Sequence, residues 1–184
     1  MMLVAVVLAL GALSVAAAAG HTSAQSPSGS TRSRNAVACG VERWTVKTLQ
    51  DRPRLIPVRD TTIAFLTSRP APSSLPDTRL PFERHIYRVH AAVTLVRPED
   101  DSDLPVVIED GKGRTMITEA PLPACAPRAT ALRRKQMGVA RAVVRVCARA
   151  VVTGVAFFDF QHGQTGVAPN GIELHPILGF RCLR

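Results

Sequence analysis

The feature that most constrains the fold is the order of hydrophobic patterns between residues 84 and 182. The first pattern has apolar residues at roughly alternate positions, which is typical of a strand; they are Ile86, Val89, Ala91, Val93 and Leu95. Two β-rich arms follow at 106–108 and 116–118, and the sequence Asp-Gly-Lys-Gly at 110–113 indicates the turn of a hairpin. This part of the chain therefore predicts three consecutive strands.

A helical pattern follows, from Pro127 to residue 146. One face of the predicted helix carries apolar residues, namely Leu132, Val139, Val143 and Val146. The opposite face carries Arg134, Arg141 and Arg145. The pattern predicts an amphipathic helix with a basic back, and we expect the basic face to be solvated.

Two more strands are predicted after the helix. Residues 150–160 are apolar on both faces, as in a central strand, and "GIELHPILGF" at 171–180 is the last strand. This order resembles the OB-fold, a small Greek-key β-barrel, over about residues 84–182. The resemblance is one of topology and predicts a mainly β fold with one helix between the third and fourth strands. A fold alone assigns no function.

The residues before the barrel give weaker patterns. The stretch around Trp44, Val46 and Leu49 indicates a short strand or turn at the edge of the core. Residues 52–81 are rich in proline and irregular, so we expect a long ordered loop, with a helical turn at "TTIAFLTS" as an option.

The four cysteines predict two disulfides. None forms a CxxC pair, which argues against a zinc ribbon, and an even number in an exported chain favours disulfides. Pairing of the last two strands around residue 165 places Cys147 beside Cys182 at the open end of their hairpin. Cys39 and Cys125 then remain as the second pair, which ties the N-terminus of the domain to the start of the helix.

The N-terminal segment "MMLVAVVLALGALSVAAAAG" is almost wholly apolar and is followed by small polar residues. It predicts a secretory signal peptide over 1–24, cut after Ala19 or Ala24, and a secreted, periplasmic or cell-envelope location. Its first residues lack Lys and Arg, which leaves a retained anchor as the alternative. Residues 25–38 predict a flexible linker, and 39–184 a single domain with no membrane span.

The formal net charge of +9 favours an anionic partner such as nucleic acid, an acidic glycan or a lipid surface. Aromatic residues make up only 4% of the chain, fewer than many proteins that stack single-stranded bases. A high isoelectric point is also common among exported proteins that have no such ligand. The charge alone therefore indicates a class of partner without naming one.

Candidate site residues fall into three groups. The first is the acidic stretch 99–103, whose Asp101 and Asp103 could bind a divalent metal together with His175. The second is Glu119, at the end of the third strand. The third is the segment 162–178, in which His162, Asn170, Glu173 and His175 are candidate ligand-binding residues. An acidic turn, a surface carboxylate and a structural loop are the alternatives for these three groups.

Three longer stretches resemble a family of uncharacterised exported bacterial proteins: "CGVERWTVKTL", "EDDSDLPVVIED" and "VTGVAFFDFQHGQTGVAPNGIELHPIL". The resemblance covers about residues 39–178 and implies export and the same domain limits, but no activity. In that family a histidine typically follows "DSD" one residue on, whereas this chain has Leu104 and Pro105 there. The Asp/Arg/Glu arrangement of nuclease-type OB barrels is not found.

Three functions fit these observations. The first is an exported, disulfide-stabilised binding module for an anionic polymer such as nucleic acid or a glycan. The second is a metal-assisted hydrolase, similar to a phosphodiesterase, that uses the acidic residues and histidines. The third is a structural envelope protein. No P-loop, Ser-His-Asp spacing or GxGxxG motif is present, and the sequence assigns no cofactor, with a divalent metal as the candidate.

Overall fold

The structure is a computed structural model, and it describes residues 37–184. The predicted signal peptide (1–24) and all but the last two residues of the predicted linker (25–38) lie outside the described residues. The elements, in chain order, are α1 (Trp44–Lys47), β1 (Ile56–Thr61), α2 (Ile63–Thr67), β2 (His85–Val96), β3 (Pro105–Glu109), β4 (Thr115–Glu119), α3 (Ala131–Val143), β5 (Cys147–Phe158) and β6 (Ile172–Cys182), with 3-10 turns at Pro81–Arg84 and Pro123–Cys125.

Five of the strands close into a barrel. Strand β2 pairs antiparallel with both β3 and β5, β3 pairs antiparallel with β4, β4 pairs parallel with β6, and β6 pairs antiparallel with β5. The order around the barrel is therefore β2-β3-β4-β6-β5, with α3 between β4 and β5 in the chain. This is the OB-fold topology, and the predicted fold class is confirmed.

Strand β5 shows why its sequence is apolar on both faces. Val152 and Ala156 point into the barrel, where they pack among buried side chains of the other strands. Val155 and Phe157 point to the outside of the barrel wall and are also fully buried. The outer face of the barrel at β5 is therefore covered by other parts of the chain.

The segment before the barrel differs from the prediction. Residues 44–47 form the short helix α1, and strand β1 lies inside the stretch that was expected to be a loop. Strand β1 runs parallel to β2 at the edge of the sheet, and four of its six residues are exposed. Such a strand has no alternating apolar pattern, because pairing with β2 and not burial holds it in place. The helical turn in "TTIAFLTS" is confirmed as α2, whose first turn is capped by the Thr62 hydroxyl.

The predicted helix is present as α3, but its orientation is the reverse of the expected one. Met137 and Ala140 face the barrel, whereas Leu132, Val139 and Val143 are exposed to solvent. Two arginines of the supposed basic back point inward: Arg134 donates hydrogen bonds to the carbonyls of Pro127 and Ala129, and Arg141 donates to the carbonyl of Ala120. These carbonyls lie outside regular pairing and need donors, so the arginines orient the helix.

Both predicted disulfides are confirmed. Cys39 pairs with Cys125 at a Cα–Cα distance of 5.5 Å, and Cys147 pairs with Cys182 at 6.2 Å. Asn35–Arg184 is one compact unit that holds the whole barrel, its core and both disulfides. Among the described residues, no helix is long and apolar enough to cross a membrane.

Candidate metal centre

The candidate site lies on the outer face of the barrel wall, where β4 and β6 run side by side. Their parallel pairing sets Thr118 opposite Leu174, so that Glu119 comes next to His175. Leu174 points into the barrel, and its neighbours Glu173 and His175 therefore share the outer face. Both are almost completely buried, with exposed fractions of 1% and 0%.

The loop between β2 and β3 adds Asp103 to this face. Asp101 accepts a hydrogen bond from the Asp103 backbone N–H, and Asp103 Oδ1 accepts one from the N–H of Leu104. Ser102 between them has a φ of 67°, in the left-handed region that a tight turn requires. These bonds fix the Asp103 side chain and leave its other oxygen, Oδ2, directed at His175.

The imidazole of His175 lies between two carboxylates. Its Nδ1 is 2.8 Å from Glu119 Oε2, and its Nε2 is 3.4 Å from Asp103 Oδ2. None of these four atoms makes a hydrogen bond of acceptable geometry within the described chain. Six buried side-chain nitrogens and oxygens of the described residues lack a hydrogen-bond partner; five belong to Asp103, Glu119, Glu173 and His175, and the sixth is Arg69 Nε. Buried polar atoms are rarely left unpaired, so their clustering at one place indicates a missing partner.

Burial changes the charge of these groups. It lowers the pKa of His175 to about 4, against the opposing effect of Asp103, so the imidazole is neutral at pH 7. Burial raises the pKa values of Asp103 and Glu119 to about 7. The pKa of Glu173 is raised well above its usual value by burial and by the carboxylates of Glu119 and Asp159. The site therefore holds carboxyl groups that would ionise readily if a cation were bound among them.

A lysine lies at the edge of the cluster. Lys47 Nζ is 2.6 Å from Asp159 Oδ2 and 3.7 Å from Glu119 Oε2. Burial acts to lower the pKa of Lys47, but the neighbouring carboxylates outweigh it, and the pKa is raised. One ammonium thus balances part of the negative charge, and its contact with Asp159 is the shorter one.

Helix α1 covers the site. The indole of Trp44 stands edge-on to the His175 ring, with ring centres 6.2 Å apart, and its Nε1 donates to the carbonyl of Cys125. Phe157, on the same outer face of the barrel wall, lies beside the imidazole, with ring centres 5.8 Å apart. Arg43 lies over the Phe157 ring and forms a buried ion pair with Glu83 at 2.7 Å. Helix α1 is thus fixed on both sides, and it shields His175 from water.

A cleft of about 140 Å³ leads from the surface to Asp103 and Glu119. Its walls are the loop from Arg97 to Pro105 and the loop from Asp159 to Thr165, with Glu42 at the rim. Carboxylates dominate its lining (Glu42, Glu99, Asp101, Asp103, Glu119 and Asp159) over the cations Lys47 and Arg97. The cleft is therefore suited to a cation more than to a bare anion.

The structure brings together only some of the residues that the sequence suggested. Asp103, Glu119 and His175 each offer one ligand atom within 4.8 Å of the others, and Glu173 lies beside them. Asp101 supports the turn and lines the cleft. His162 lies at the rim, half exposed, where its Nε2 is 3.0 Å from Glu42 Oε2.

Asn170 has a structural role. Its amide nitrogen donates to the carbonyls of Leu66 and Arg69, and its oxygen accepts from the N–H of Ile172. The side chain is fully used in holding the loop before β6 against α2. It has no free atom for a ligand, which agrees with the alternative that this part of the segment is architecture.

Sequence reasoning missed Lys47, Asp159 and the covering Trp44. Asp159 could have been noticed, because it is a charged residue inside the apolar run "AFFDF". Lys47 gave no signal, since it lies 56 or more residues from the other members of the cluster in the chain, and only the docking of α1 brings it there.

No family model matches the sequence, and the comparison with curated proteins finds no match. Among solved structures, the chain is similar to Entamoeba histolytica asparaginyl-tRNA synthetase, with a TM-score of 0.38, 12% identity and 68% of this chain covered. The same enzyme in complex with asparaginyl-adenylate gives a TM-score of 0.37, 13% identity and 67% coverage. The chain covers 23% of the length of each of these structures.

Proposed function

We propose that this protein is an exported binding module whose ligand is a divalent transition-metal ion, held by Asp103 and His175 with support from Glu119. The observation that supports this proposal is the group of buried carboxylate and imidazole atoms without hydrogen-bond partners. An exported location suits the two disulfides, because such bonds persist in oxidising compartments.

The spacing of the ligand atoms fits a metal between His175 and Asp103. Two ligands that share a tetrahedral metal at bonds of about 2.0–2.2 Å lie roughly 3.3–3.6 Å from each other. The 3.4 Å between His175 Nε2 and Asp103 Oδ2 is within that range. Glu119, 2.8 Å from the other ring nitrogen, is placed to accept its proton and orient the ring, as carboxylates do behind metal-binding histidines.

The donor set favours particular metals. One imidazole with carboxylates suits Zn²⁺, Mn²⁺, Fe²⁺ or Co²⁺, whereas Ca²⁺ prefers oxygens alone. All four cysteines are bonded in disulfides, so no thiolate is available to favour a softer metal. The cleft reaches Asp103 and Glu119 and leaves room for water or a small ligand on the metal.

The test uses the oxidised unit 35–184 after removal of bound metal. Zn²⁺ and Mn²⁺ are titrated into it, and binding is measured by calorimetry and by fluorescence. Trp44 is the single tryptophan of the chain and contacts the His175 ring, so its emission reports on the site. We expect one saturable ion per chain in the wild type and loss of binding in His175→Ala and in the isosteric Asp103→Asn. His162→Ala is the matched control and should bind as the wild type does.

Two results would contradict the proposal. The first is a folded, oxidised wild type that binds neither metal. The second is binding that persists unchanged in Asp103→Asn and His175→Ala, which would move the ion to another site.

An anionic polymer is the second candidate ligand, supported by a different surface. The outer face of strands β2, β5 and β6 carries Arg88, Arg149 and Arg181, and the net charge of the chain is +9. Arg149 and Arg181 are exposed, and Arg88 has only the exposed Asp60 as an ionic partner, at 3.4 Å. Backbone phosphates or glycan sulfates could lie along this face.

Retention on immobilised heparin and on single-stranded DNA tests this second candidate. We expect elution at rising salt, and earlier elution for Arg149→Ser with Arg181→Ser, because each lost contact reduces the salt dependence. Arg114→Ser is the control, since its side chain is paired with Asp110 in the β3–β4 turn. Equal elution of both variants and the wild type would exclude this face.

A further inference from the structure

Helix α3 presents an apolar surface that no described part of the chain covers. Leu132, Val139 and Val143 are 61%, 61% and 40% exposed, and Val146, just after the helix, is 60% exposed. Leu132, Val139 and Val143 fall on one side of the helix, as the spacing of seven and four residues requires. We call these four residues the α3 stripe. Single exposed apolar residues are ordinary, but three aligned on one helix with a fourth just beyond its end form a patch.

The stripe faces outward because the opposite side of the helix is held to the barrel. Met137 and Ala140 are buried there, Arg134 donates to carbonyls of the turn just before the helix, and Arg141 donates to the carbonyl of Ala120. Turning the stripe inward would break these bonds and leave the carbonyls unpaired. Its exposure is therefore built into the packing of α3.

The surroundings of the stripe are strongly basic. From residue 120 to residue 158 the sequence has no Asp or Glu and seven cations: Arg128, Arg133, Arg134, Lys135, Arg141, Arg145 and Arg149. Arg128, Lys135, Arg145 and Arg149 are exposed, and Arg133 is half-buried. None of the seven forms an ion pair among the described residues. An apolar strip beside unpaired cations is typical of helices that lie in the interface of an anionic membrane.

We propose that the α3 stripe docks on an anionic lipid surface, with Leu132, Val139 and Val143 entering the interface and Lys135 and Arg145 near the lipid phosphates. Charge complementarity favours this occupant over a second copy of the chain. In a symmetric pair of α3 helices, the cations of one copy would face those of the other, and this repulsion opposes association. The proposal uses a surface distinct from the metal centre and does not depend on it.

The experiment is co-sedimentation of the oxidised unit 35–184 with lipid vesicles. This unit contains the whole barrel and leaves out the apolar N-terminal residues, which would partition into lipid by themselves. Vesicles of phosphatidylcholine mixed with phosphatidylglycerol are compared with vesicles of phosphatidylcholine alone. The variants are the triple change Leu132→Ser, Val139→Ser, Val143→Ser and the double change Lys135→Glu, Arg145→Glu. Val58→Ser, at an exposed valine of β1, is the matched control.

We expect binding to the anionic vesicles that weakens with salt, and a partition coefficient about tenfold or more lower in the triple variant, because each buried CH₂ contributes to interfacial binding. The double variant should also lose binding, and Val58→Ser should not.

Three results would overturn the proposal: no binding of the wild type to anionic vesicles, equal binding of the triple variant, or equal binding to vesicles without phosphatidylglycerol. A wild type that is dimeric by light scattering while the triple variant is monomeric would assign the stripe to a second copy instead. Far-ultraviolet circular dichroism of each variant shows that the fold is kept, as expected for exposed positions.

Discussion

At the scale of single residues, the environment of His175 decides what this site can do. A neutral imidazole between two carboxylates can bind a metal through one nitrogen while the other donates its proton. Asp103 and Glu119 contact different nitrogens of the same ring, so they have different roles even though both are buried carboxylates on the outer face of the barrel. Chemistry of this kind depends on a few tenths of an ångström, which a motif does not specify.

The two carboxylates should therefore differ in a metal titration. Asp103→Asn removes a ligand and should abolish measurable binding, whereas Glu119→Gln still accepts the Nδ1 proton and should weaken affinity by about 10- to 100-fold. Competition with a chelating dye measures both constants. If the two variants lose affinity equally, Glu119 is a direct ligand and not an orienting group.

The metal-free protein should lose stability as the pH rises through about 7. Asp103 and Glu119 have folded pKa values of about 7, above their usual 3.8 and 4.5, so their protonation stabilises the fold fully below those lower values and not above 7. His175 acts oppositely: its pKa falls from 6.5 to about 4, and stability is lost as the pH drops through that range. The pKa of Glu173 is raised as well, so three carboxyls act against one imidazole, and stability should fall as the pH rises from about 4.5 towards 7.

Urea unfolding in the presence of a chelator measures this trend. The double variant Asp103→Asn, Glu119→Gln cannot ionise at these positions and should show a flatter profile between about pH 4 and pH 7. A wild type that becomes more stable between pH 6 and pH 8 would contradict the assigned directions.

Among the secondary-structure elements, α3 shows that hydrogen bonds to backbone carbonyls can decide which face of a helix is buried, against its hydrophobic pattern. The helix places its larger aliphatic residues in solvent and uses Met137 and Ala140 for packing. Its inward arginines supply donors to carbonyls at the ends of neighbouring segments, and their long stems cover apolar surface.

This orientation makes a prediction for two cations of the same helix. Arg141→Ala leaves the carbonyl of Ala120 without a donor and should reduce the free energy of unfolding by about 1–3 kcal/mol. Lys135→Ala, at an exposed position, should change it by less than about 0.5 kcal/mol. Chemical denaturation of the oxidised proteins measures both values. Equal, small effects on the free energy of unfolding would mean that Arg141 is solvated and that the opposite face of α3 packs on the barrel.

At the scale of the whole molecule, a β-barrel and a covering N-terminal segment together build the site. The barrel alone provides Glu119, Glu173 and His175, and the segment that carries α1 shields them from water. The Cys39–Cys125 disulfide joins the start of this segment to the turn before α3, across 86 residues of chain. The disulfide therefore holds α1 over the site as well as stabilising the fold.

Removing each disulfide should separate these two roles. Cys39→Ser with Cys125→Ser should cost about 4.6 kcal/mol in the chain-entropy model and also weaken metal binding, because α1 is released. The Cys147–Cys182 disulfide closes a shorter loop of 35 residues and lies away from the site. Cys147→Ser with Cys182→Ser should therefore reduce stability without changing metal affinity at temperatures where the protein is folded. Thermal unfolding and metal titration of both pairs test this. Equal metal affinity in the two variants would mean that the Cys39–Cys125 disulfide does not hold α1 over the site.

The order of the barrel strands and the pairing of the cysteines could be predicted from the amino-acid sequence. Alternating and two-sided apolar runs report burial on the faces of a strand, so β2, β3, β4, β5 and β6 were predictable in their order. The register of the last hairpin then placed Cys147 near Cys182, although irregular pairing around Gly154 shifts the observed register slightly. Asp103, Glu119 and His175 could be named as candidates because charged residues next to buried strands are conspicuous.

Tertiary contacts determine which candidate site residues come together, which segment covers them and which face of α3 packs on the barrel. These outcomes depend on contacts between segments far apart in the chain: α1 on the barrel wall, Lys47 beside Asp159, and arginines beneath α3. Strand β1 exists through its pairing with β2, which leaves no local pattern. Local periodicity reports whether a residue is buried in its own element, whereas the position of a polar atom is set by the unpaired donors and acceptors that the assembled fold brings to it.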